Sequence, residues 1–559
     1  MLQMRQQAPR ALLFVMLFAL LAGCYPPGPT PVPTEDPNAR IQSDCQARSE
    51  KGLAKQREVP RGMKLSPYLG LIYADDQVLV AGNPKDIADL ISKSALPLKP
   101  HEKSPGIPVG KEVIQLYDVD KGFTVEQVTC LVNSLAARDG LNVYSDPNYN
   151  VTPAGWHGGG SPWTQNGQWA QQGGGLGTTD RDGFLDQWAF GEKGIALFEA
   201  SGKRTVSPEG KGIVIGVFDT SPFAKTRVTE TLFNSIFGAT LSNPATSSAR
   251  LVLHDVNPQD VKSCPGLDRV TPSIDRETYD LSSHGLFVSG LAHAVAPQSD
   301  IYLVRVLADD ACGDLNSILQ GLQWFQEEMK RTKQPMEKTV INLSLGLNRP
   351  DAAEAVALGL PPGSEVRTLQ AKIQELMEQG ATVVAAGGND SFDKAVADPA
   401  EIPAQDKGVI AVAASTINNE RSCYSNEGLL AAPGGNGVGL DNKSANKKVG
   451  PNGKPICLVP GQISSTPGLP PKETDRWTCE GDETLCVVSL VWRNGKPQFA
   501  YWVGTSFATP MVSGLAALAI ESQQPQQNIE EVIQTGVTPV DPSESIGLGI
   551  INVDRSFPN

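Results

Sequence analysis

The sequence predicts an α/β fold, a doubly wound parallel sheet with helices on both faces, preceded by a smaller α+β unit. Two patterns carry this. From Lys211 onward come short, almost uninterrupted apolar runs: IVIGVF at 213–218, IYLVRV at 301–306, TVINLS at 339–344, ATVVAA at 381–386 and GVIAVA at 408–413. Strands buried on both faces read this way. Stretches with helical spacing alternate with them, at about 283–293, 316–331, 364–379 and 506–520, the third stopped by Gly380. Strands alternating with helices favour a parallel sheet.

The smaller unit has strand-like stretches at Gln77–Val80 and Val113–Tyr117 and a helix-like one from Pro84 to Ser92. Its second helix is the clearest. Thr124 and Gln127 make a capping box, Val125, Val128, Leu131, Val132 and Leu135 share one face, and Gly140 ends it. The strand Leu141–Ser145 then closes the unit.

The 559 residues are 40% hydrophobic and 19% charged, which supplies a sizeable core and excludes general disorder. Asp and Glu total 61 against 47 Lys and Arg, for a formal charge of -14. That balance, with no basic patch, argues against a nucleic-acid partner. Arg5 and Arg10 precede an apolar run from Ala11 to Ala22 that is short for a bilayer span and reads as a signal peptide. Its ending, Leu21-Ala22-Gly23-Cys24, resembles the bacterial lipoprotein signal, which implies acylation of Cys24 and a membrane partner through that lipid. Eight further cysteines, Cys45, Cys130, Cys264, Cys312, Cys423, Cys457, Cys479 and Cys486, suit disulfides in an oxidising compartment; their pairing stays open. No zinc-like CxxC doublet is present, and no metal site is assigned.

The resulting scheme is a signal peptide at 1–23, a Pro-rich tether at 24–60, the α+β unit at 61–150, a Gly-rich linker at 151–185, and the large domain at 186–559. A polar, Cys-containing insertion on the surface is expected at about 440–500. GGGLGTT in the linker lacks the Gly-Lys-Ser/Thr ending of a phosphate loop, and DRDG lacks the later acids of a calcium loop.

In open parallel sheets ligands sit beyond the carboxyl ends of strands. Asp219 directly follows IVIGVF, where a carboxylate needs a partner such as an imidazole N–H. His284 opens a packed helix, and Ser506 lies among small residues at another helix start, with Pro510 tolerated in a first turn. Asn389, in VVAAGGND, could donate its amide to an oxyanion. Singly, each has an ordinary structural explanation as a cap, a turn or a core residue. Together they form a Ser/His/Asp set with an oxyanion donor. The chain order Asp, His, Ser is that of subtilisin, and Ala508 excludes a GxSxG elbow.

From about Gln187 to the C-terminus the chain resembles the subtilisin-like serine proteases. GIVIGVFDTS around Asp219, SSHGLFVSG around His284, INLSLG at 341–346, AAGGND around Asn389 and GTSFATPMVSG around Ser506 carry the likeness, the last most specifically. IGLGIINVD near the end resembles the family's closing strand. More loosely, residues 65–150 resemble its inhibitory, ferredoxin-like propeptide, with YSDPNYN as the last strand.

The resemblance implies Ser506 as nucleophile, His284 as base, Asp219 as its orienting carboxylate, and an oxyanion hole from the Asn389 amide and the Ser506 N–H. It implies that Ser344, Leu345 and Gly346 pair with extended peptide. Ala386 and Gly387, with Gly346, suggest a roomy pocket beside the cut. Leu286-Phe287 stands where the family has Thr-His, Ser221 where it has Gly, and Met511 where it has His. The expected protein is an extracytoplasmic, lipid-anchored serine endopeptidase made as a self-processing zymogen, acting on protein or peptide substrates and inhibited by its own propeptide. Cleavage between Tyr149 and Gln187 would release the catalytic domain. The chemistry needs no cofactor; structural calcium is not located. The rivals are an inactive scaffold that binds at the surface and an exported esterase.

Overall fold

Aliphatic runs and helix caps place most elements where the sequence pattern put them. The computed structural model describes residues 37–53, 63–65, 72–153, 184–223, 236, 249–256, 282–308, 313–347, 358, 366–389, 400, 408–422, 425–435, 486–493, 495–522, 532–533, 535–540 and 546–557. The signal segment, Cys24, the glycine-rich stretch with GGGLGTT and DRDG, and Cys264, Cys312, Cys423, Cys457 and Cys479 lie outside them.

In the N-terminal unit, strands β1 (Met63–Leu65), β2 (Ile72–Gly82), β3 (Leu98–Pro100), β4 (Ile107–Val109), β5 (Glu112–Val119) and β6 (Val143–Pro153) form an antiparallel sheet with β6, β2, β5 and β3 side by side. Helix α2 (Pro84–Lys93) starts with Pro84 in its first turn and the Asn83 side chain accepting the Lys85 N–H at 3.0 Å. Helix α3 (Val125–Asp139) starts where Thr124 Oγ1 accepts the Gln127 N–H at 3.2 Å. It stops at Gly140, whose φ of 64° suits a residue without Cβ.

Two boundaries differ from the sequence reading. Residues 37–53, assigned above to an extended tether, form helix α1. Pro37 is the last proline of the run and sits at the helix start, where its missing N–H costs nothing. The Cys45–Cys130 disulfide and a hydrogen bond from Arg138 to Asn38 fasten α1 to α3. Strand β6 runs on to Pro153, past the expected end of the unit, because its last residues find partners in the large domain.

The large domain carries seven parallel strands in the order β15, β14, β13, β11, β7, β9, β8. These are β7 (Val214–Asp219), β8 (Leu251–Asp255), β9 (Asp300–Arg305), β11 (Thr339–Leu343), β13 (Thr382–Ala386), β14 (Ile410–Ser415) and β15 (Leu430–Pro433). Alternate residues face opposite layers. Ile215 and Val217 join the core containing helices α4 (His284–Val295) and α7 (Thr505–Glu521). Val214 and Phe218 join the core containing α5 (Leu315–Thr332) and α6 (Arg367–Glu378), which is continuous with that of the N-terminal unit. This is the expected doubly wound sheet. A four-residue helix, α8 (Val553–Ser556), follows near the chain end.

The end of the expected surface insertion is instead core. β16 (Val487–Arg493) and β17 (Lys496–Trp502) form a hairpin across an Asn-Gly pair, which favours the tight turn. Val487 and Leu490 are buried, and Ser489 Oγ donates to the Phe287 carbonyl at 2.7 Å, so the hairpin backs helix α4. Cys486, at its base, is disulfide-bonded.

The N-terminal unit docks on the starts of α5 and α6. Asp146 Oδ2 accepts the Thr368 N–H at 2.8 Å, and Asn148 Oδ1 accepts the Asn316 N–H at 3.1 Å. Both satisfy first-turn donors that lack helical partners. Burial raises the Asp146 carboxyl to about 6, opposed by the Thr368 N–H. Burial also raises Asp314.

Candidate active site

Three chain segments converge at the carboxyl ends of β7 and β11 and the start of α7. Asp219 is the last residue of β7 and is fully buried. His284 is the first residue of α4, and its Nδ1 lies 2.8 and 2.9 Å from the Asp219 carboxylate oxygens. A carboxylate only accepts, so Nδ1 carries the hydrogen and the neutral ring keeps its lone pair on Nε2. Asp219 Oδ1 also accepts the Thr220 N–H at 2.6 Å. Thr220 Oγ1 accepts the Gly285 N–H at 3.2 Å and donates to the Ser282 carbonyl at 3.0 Å, tying the aspartate strand to the histidine helix.

Ser506 is the second residue of α7 and is buried. Its hydroxyl donates to the Ser344 carbonyl at 3.0 Å, and the Ser344 hydroxyl donates back to the Ser506 carbonyl at 2.8 Å. Asp219 and His284 are thus hydrogen-bonded, while among the described residues the Ser506 hydroxyl is held by Ser344 rather than by the imidazole. Rotation about Ser506 χ1 is the step that would release it. Pro510 lies beyond the first turn, contrary to the sequence reading, and lacks the N–H that would reach the Ser506 carbonyl. The Ser344 hydroxyl fills that vacancy.

Asn389 follows β13, and its Oδ1 accepts the Thr505 N–H at 2.9 Å and the Thr505 hydroxyl at 2.8 Å. These bonds fix the amide so that Nδ2 lies on the Gly504 side, where a Cβ on Gly504 would approach it to 3.5 Å. Asn389 Nδ2 and the first-turn N–H of Ser506 are the donors that the sequence reading assigned to an oxyanion.

Leu345 and Gly346 form the short strand β12, antiparallel to the end of β6, with Leu345 opposite Pro153 and Gly346 opposite Thr152. On its other side β6 pairs with β10 (Gly313–Asp314), Val151 opposite Gly313 and Asn150 opposite Asp314. The edge expected to pair with peptide therefore holds this chain's own residues, and β10 supplies a second edge that the sequence reading missed. Ala386 is buried at the end of β13. Gly387 is small for a reason other than a roomy pocket: a Cβ there would meet the Glu427 and Val412 carbonyls at 3.0 and 3.1 Å.

Aromatic residues enclose the imidazole. Trp502 meets it edge-on at 5.3 Å between ring centroids and Phe507 at 5.1 Å. Phe287 packs against Phe507 at 4.6 Å and Trp502 at 5.6 Å, so the departure at 286–287 builds a buried wall. Trp502 was not singled out from sequence, because its hairpin was read as surface. Among the described residues no group of three or more His, Cys, Asp or Glu side chains is arranged to hold a metal ion.

A parallel α/β sheet bearing an Asp–His pair and a helix-borne serine has the architecture of a serine hydrolase. Residues 210–546 match the subtilase family, peptidase S8, and the chain belongs to it. Subtilisin-like protease 3 of Arthroderma benhamiae is 29% identical over 173 residues, 30% of this chain and 38% of that protein. Subtilisin BL of Lederbergia lenta is 26% identical over 292 residues, 50% of this chain and 79% of that protein. Fervidolysin from Fervidobacterium pennivorans, a keratinolytic enzyme related to subtilisin, shares the fold with a TM-score of 0.50 and 16% identity, over 89% of this chain and 62% of that one.

Proposed function

We propose that this subtilase is an exported, lipid-anchored serine endopeptidase, made as a zymogen and acting through Asp219, His284 and Ser506. The observation that carries the reading is the extended strand 150–153 lying between the edges at 313–314 and 345–346, beside Ser506. A cleft that pairs with main chain on both sides suits a peptide better than a simple ester, which favours the peptidase over the esterase. The buried Asp219–His284 pair favours catalysis over an inactive scaffold.

Released from Ser344, the Ser506 hydroxyl attacks a peptide carbonyl while His284 Nε2 takes its proton. Asp219 holds the ring and stabilises the imidazolium. Asn389 Nδ2 and the Ser506 N–H receive the oxyanion. Collapse of the intermediate passes the proton to the leaving amine, and water then hydrolyses the acyl-enzyme, with no cofactor taking part. Before activation the N-terminal unit acts as the inhibitory propeptide.

The test compares wild type with Ser506→Ala and His284→Ala for fluorophosphonate labelling and for peptide and ester turnover. Labelling and peptide hydrolysis lost in both variants support the endopeptidase. Equal turnover in all three chains overturns it. Acylation of Cys24, which the signal motif supports, predicts incorporation of an alkyne fatty acid into wild type but not Cys24→Ser.

A further inference from the structure

The hairpin β16–β17 reaches both sides of the Asp219–His284 pair. Pro497, opposite Trp492 on the hairpin, has no N–H, and the Trp492 main chain turns to the outer edge of β16. There Ser283 Oγ accepts the Trp492 N–H at 3.0 Å and donates to the Trp492 carbonyl at 3.3 Å. Ser283 is the residue immediately before His284. The Trp492 ring meets Phe223, on the segment that follows Asp219, edge-on at 5.2 Å. The hairpin thus touches the aspartate side through a ring and the histidine side through hydrogen bonds.

The Ser283 hydroxyl does not do what its position suggests. Ser283 stands at the N-cap of α4, where a serine side chain ordinarily accepts an N–H of its own first turn. It makes no such bond. The Gly285 N–H goes instead to Thr220 Oγ1, next to Asp219, at 3.2 Å. With the helix start capped from the aspartate strand, the serine is left to pair with the hairpin. Its single hydroxyl accepts and donates as one residue of a neighbouring strand would, and so satisfies both main-chain groups at a sheet edge.

The hairpin is braced in turn by the start of the large domain. Gln187 Oε1 accepts the Val488 N–H at 2.9 Å, and Gln187 Nε2 donates to the Val488 carbonyl at 3.0 Å. Trp188 Nε1 donates to the Cys486 carbonyl at 2.7 Å, and Phe184 stacks on Phe499 at 5.2 Å. Ser283 is therefore bonded to a fixed element, with no residue between it and His284 to absorb a shift. A displacement of about 1 Å at a reacting group can cost about 100-fold in rate.

We propose that Ser283 is a positioning residue, whose hydroxyl pairs with Trp492 to fix the start of α4 and so aim His284 Nε2 at the Ser506 hydroxyl. This rests on the endopeptidase reading, in which His284 is the base, and adds to it a residue that acts only through its neighbour. Without the hydroxyl, Trp492 loses this partner and the helix start can move. Proton transfer then suffers, while peptide binding, which does not use the imidazole, is kept.

The experiment compares the whole chain, wild type, with Ser283→Ala, Ser283→Thr and Ser299→Ala, counting active sites by fluorophosphonate labelling taken to completion. Ser299→Ala is the stability control. It removes a buried hydroxyl that donates to the Gly210 carbonyl at 2.9 Å, beyond the far end of α4. In Ser283→Ala, kcat per labelled site is expected to fall at least ~10-fold with KM within about two-fold of wild type. Threonine, which keeps the hydroxyl, is expected to restore kcat to within about three-fold. Ser299→Ala should lower the melting temperature without lowering kcat. Should Ser283→Ala fail to fold, Ser283→Cys, similar in volume but only a weak donor and acceptor, carries the same expectation. An unchanged kcat, a loss confined to KM, no recovery with threonine, or an equal kcat loss in Ser299→Ala overturns the positioning role. Each of these leaves the endopeptidase reading standing so long as wild type labels and cuts peptide. Wild type that does neither overturns both.

Discussion

The Ser506 carbonyl accepts the Ser344 hydroxyl at 2.8 Å, because Pro510, four residues on, has no N–H to give it. The bond belongs to a buried chain in which Ser513 donates to Asn342 and Asn342 donates to Ser344. The proline thus makes the Ser506 carbonyl an anchor for Ser344, the residue before strand β12. Ser344→Ala should leave a buried carbonyl unsatisfied and cost about 1–3 kcal/mol of stability, with a drop in kcat as the strand loosens. Pro510→Ala supplies a helical N–H, so the Ser344→Ala cost should shrink in the double variant. Denaturant unfolding of the four chains gives the coupling, and strict additivity would refute the link.

Asp146 makes folding pH-dependent with a definite sign. Its carboxyl stands at about 6 in the folded chain against 3.8 ordinarily, chiefly through burial. A raised value means the folded state holds the proton more firmly. The stability this proton contributes is full below about 3.8 and is lost as the pH rises through about 6. Asp146→Asn keeps an oxygen for Thr368 and removes the titration. In a Ser506→Ala background the asparagine chain should gain on its parent between pH 4 and 7, by up to about 3 kcal/mol. Asp314 shifts the same way but is present in both chains. A pH-independent difference between their unfolding curves would rule out this role.

Asn389 is held by Thr505 through two bonds, so in the proposed mechanism its amide is already oriented when an oxyanion forms. Asn389→Ala should lower kcat by about 100–1,000-fold and leave KM nearly unchanged. Steady-state kinetics on one peptide decide it. A change confined to KM would assign Asn389 to ground-state binding instead.

The segments proposed to be catalytic could be singled out because each sits where a buried strand ends or a helix begins, and those boundaries come from local patterns. Asp219 closes an unbroken apolar run, and Thr505-Ser506 follows a glycine with φ of 154° at a helix start. What was not legible depends on partners distant in sequence. Nothing near Val151 announces that it pairs with Gly313, or that Pro153 pairs with Leu345. Helix α1 was hidden by the prolines before it, and its exposed residues follow no strong apolar period; the bond from its Cys45 to Cys130 on α3 holds it down. The hairpin ending at Trp502 was hidden by its polar, glycine-containing turn, although both its strands are packed on α4.

The Cys45–Cys130 disulfide closes a loop with a sequence separation of 85 and fastens α1 to α3. Replacing both cysteines by serine should cost the N-terminal unit about 2–4 kcal/mol. Melting of the Ser506→Ala chain with and without the replacement measures this. Peptide turnover by the processed enzyme should not change, since both cysteines lie in the N-terminal unit, away from Asp219, His284 and Ser506. Equal melting of the two chains would mean that α1 packing alone holds the unit.

Gly285 is where backbone contact between the histidine helix and the aspartate strand is tightest. A Cβ there would lie 2.2 Å from the Thr220 carbonyl and 2.8 Å from Asp219 Cβ, atoms belonging to the end of β7 and the residue after it. Neither can move without dragging the carboxylate that holds His284 at 2.8 Å. Alanine at this position must therefore push the start of α4 outward, and a displacement of about 1 Å at a reacting group can cost about 100-fold in rate. Gly285→Ala should lower kcat by that order while the chain still folds. Gly290 offers the control. A Cβ there meets Ser489 Oγ, the end of a side chain that can rotate, at 2.4 Å. Gly290→Ala on the same helix should disturb stability more than rate. Comparable losses of kcat in both variants would show that any crowding of α4 is enough, and that the Asp219–His284 contact is not what Gly285 protects.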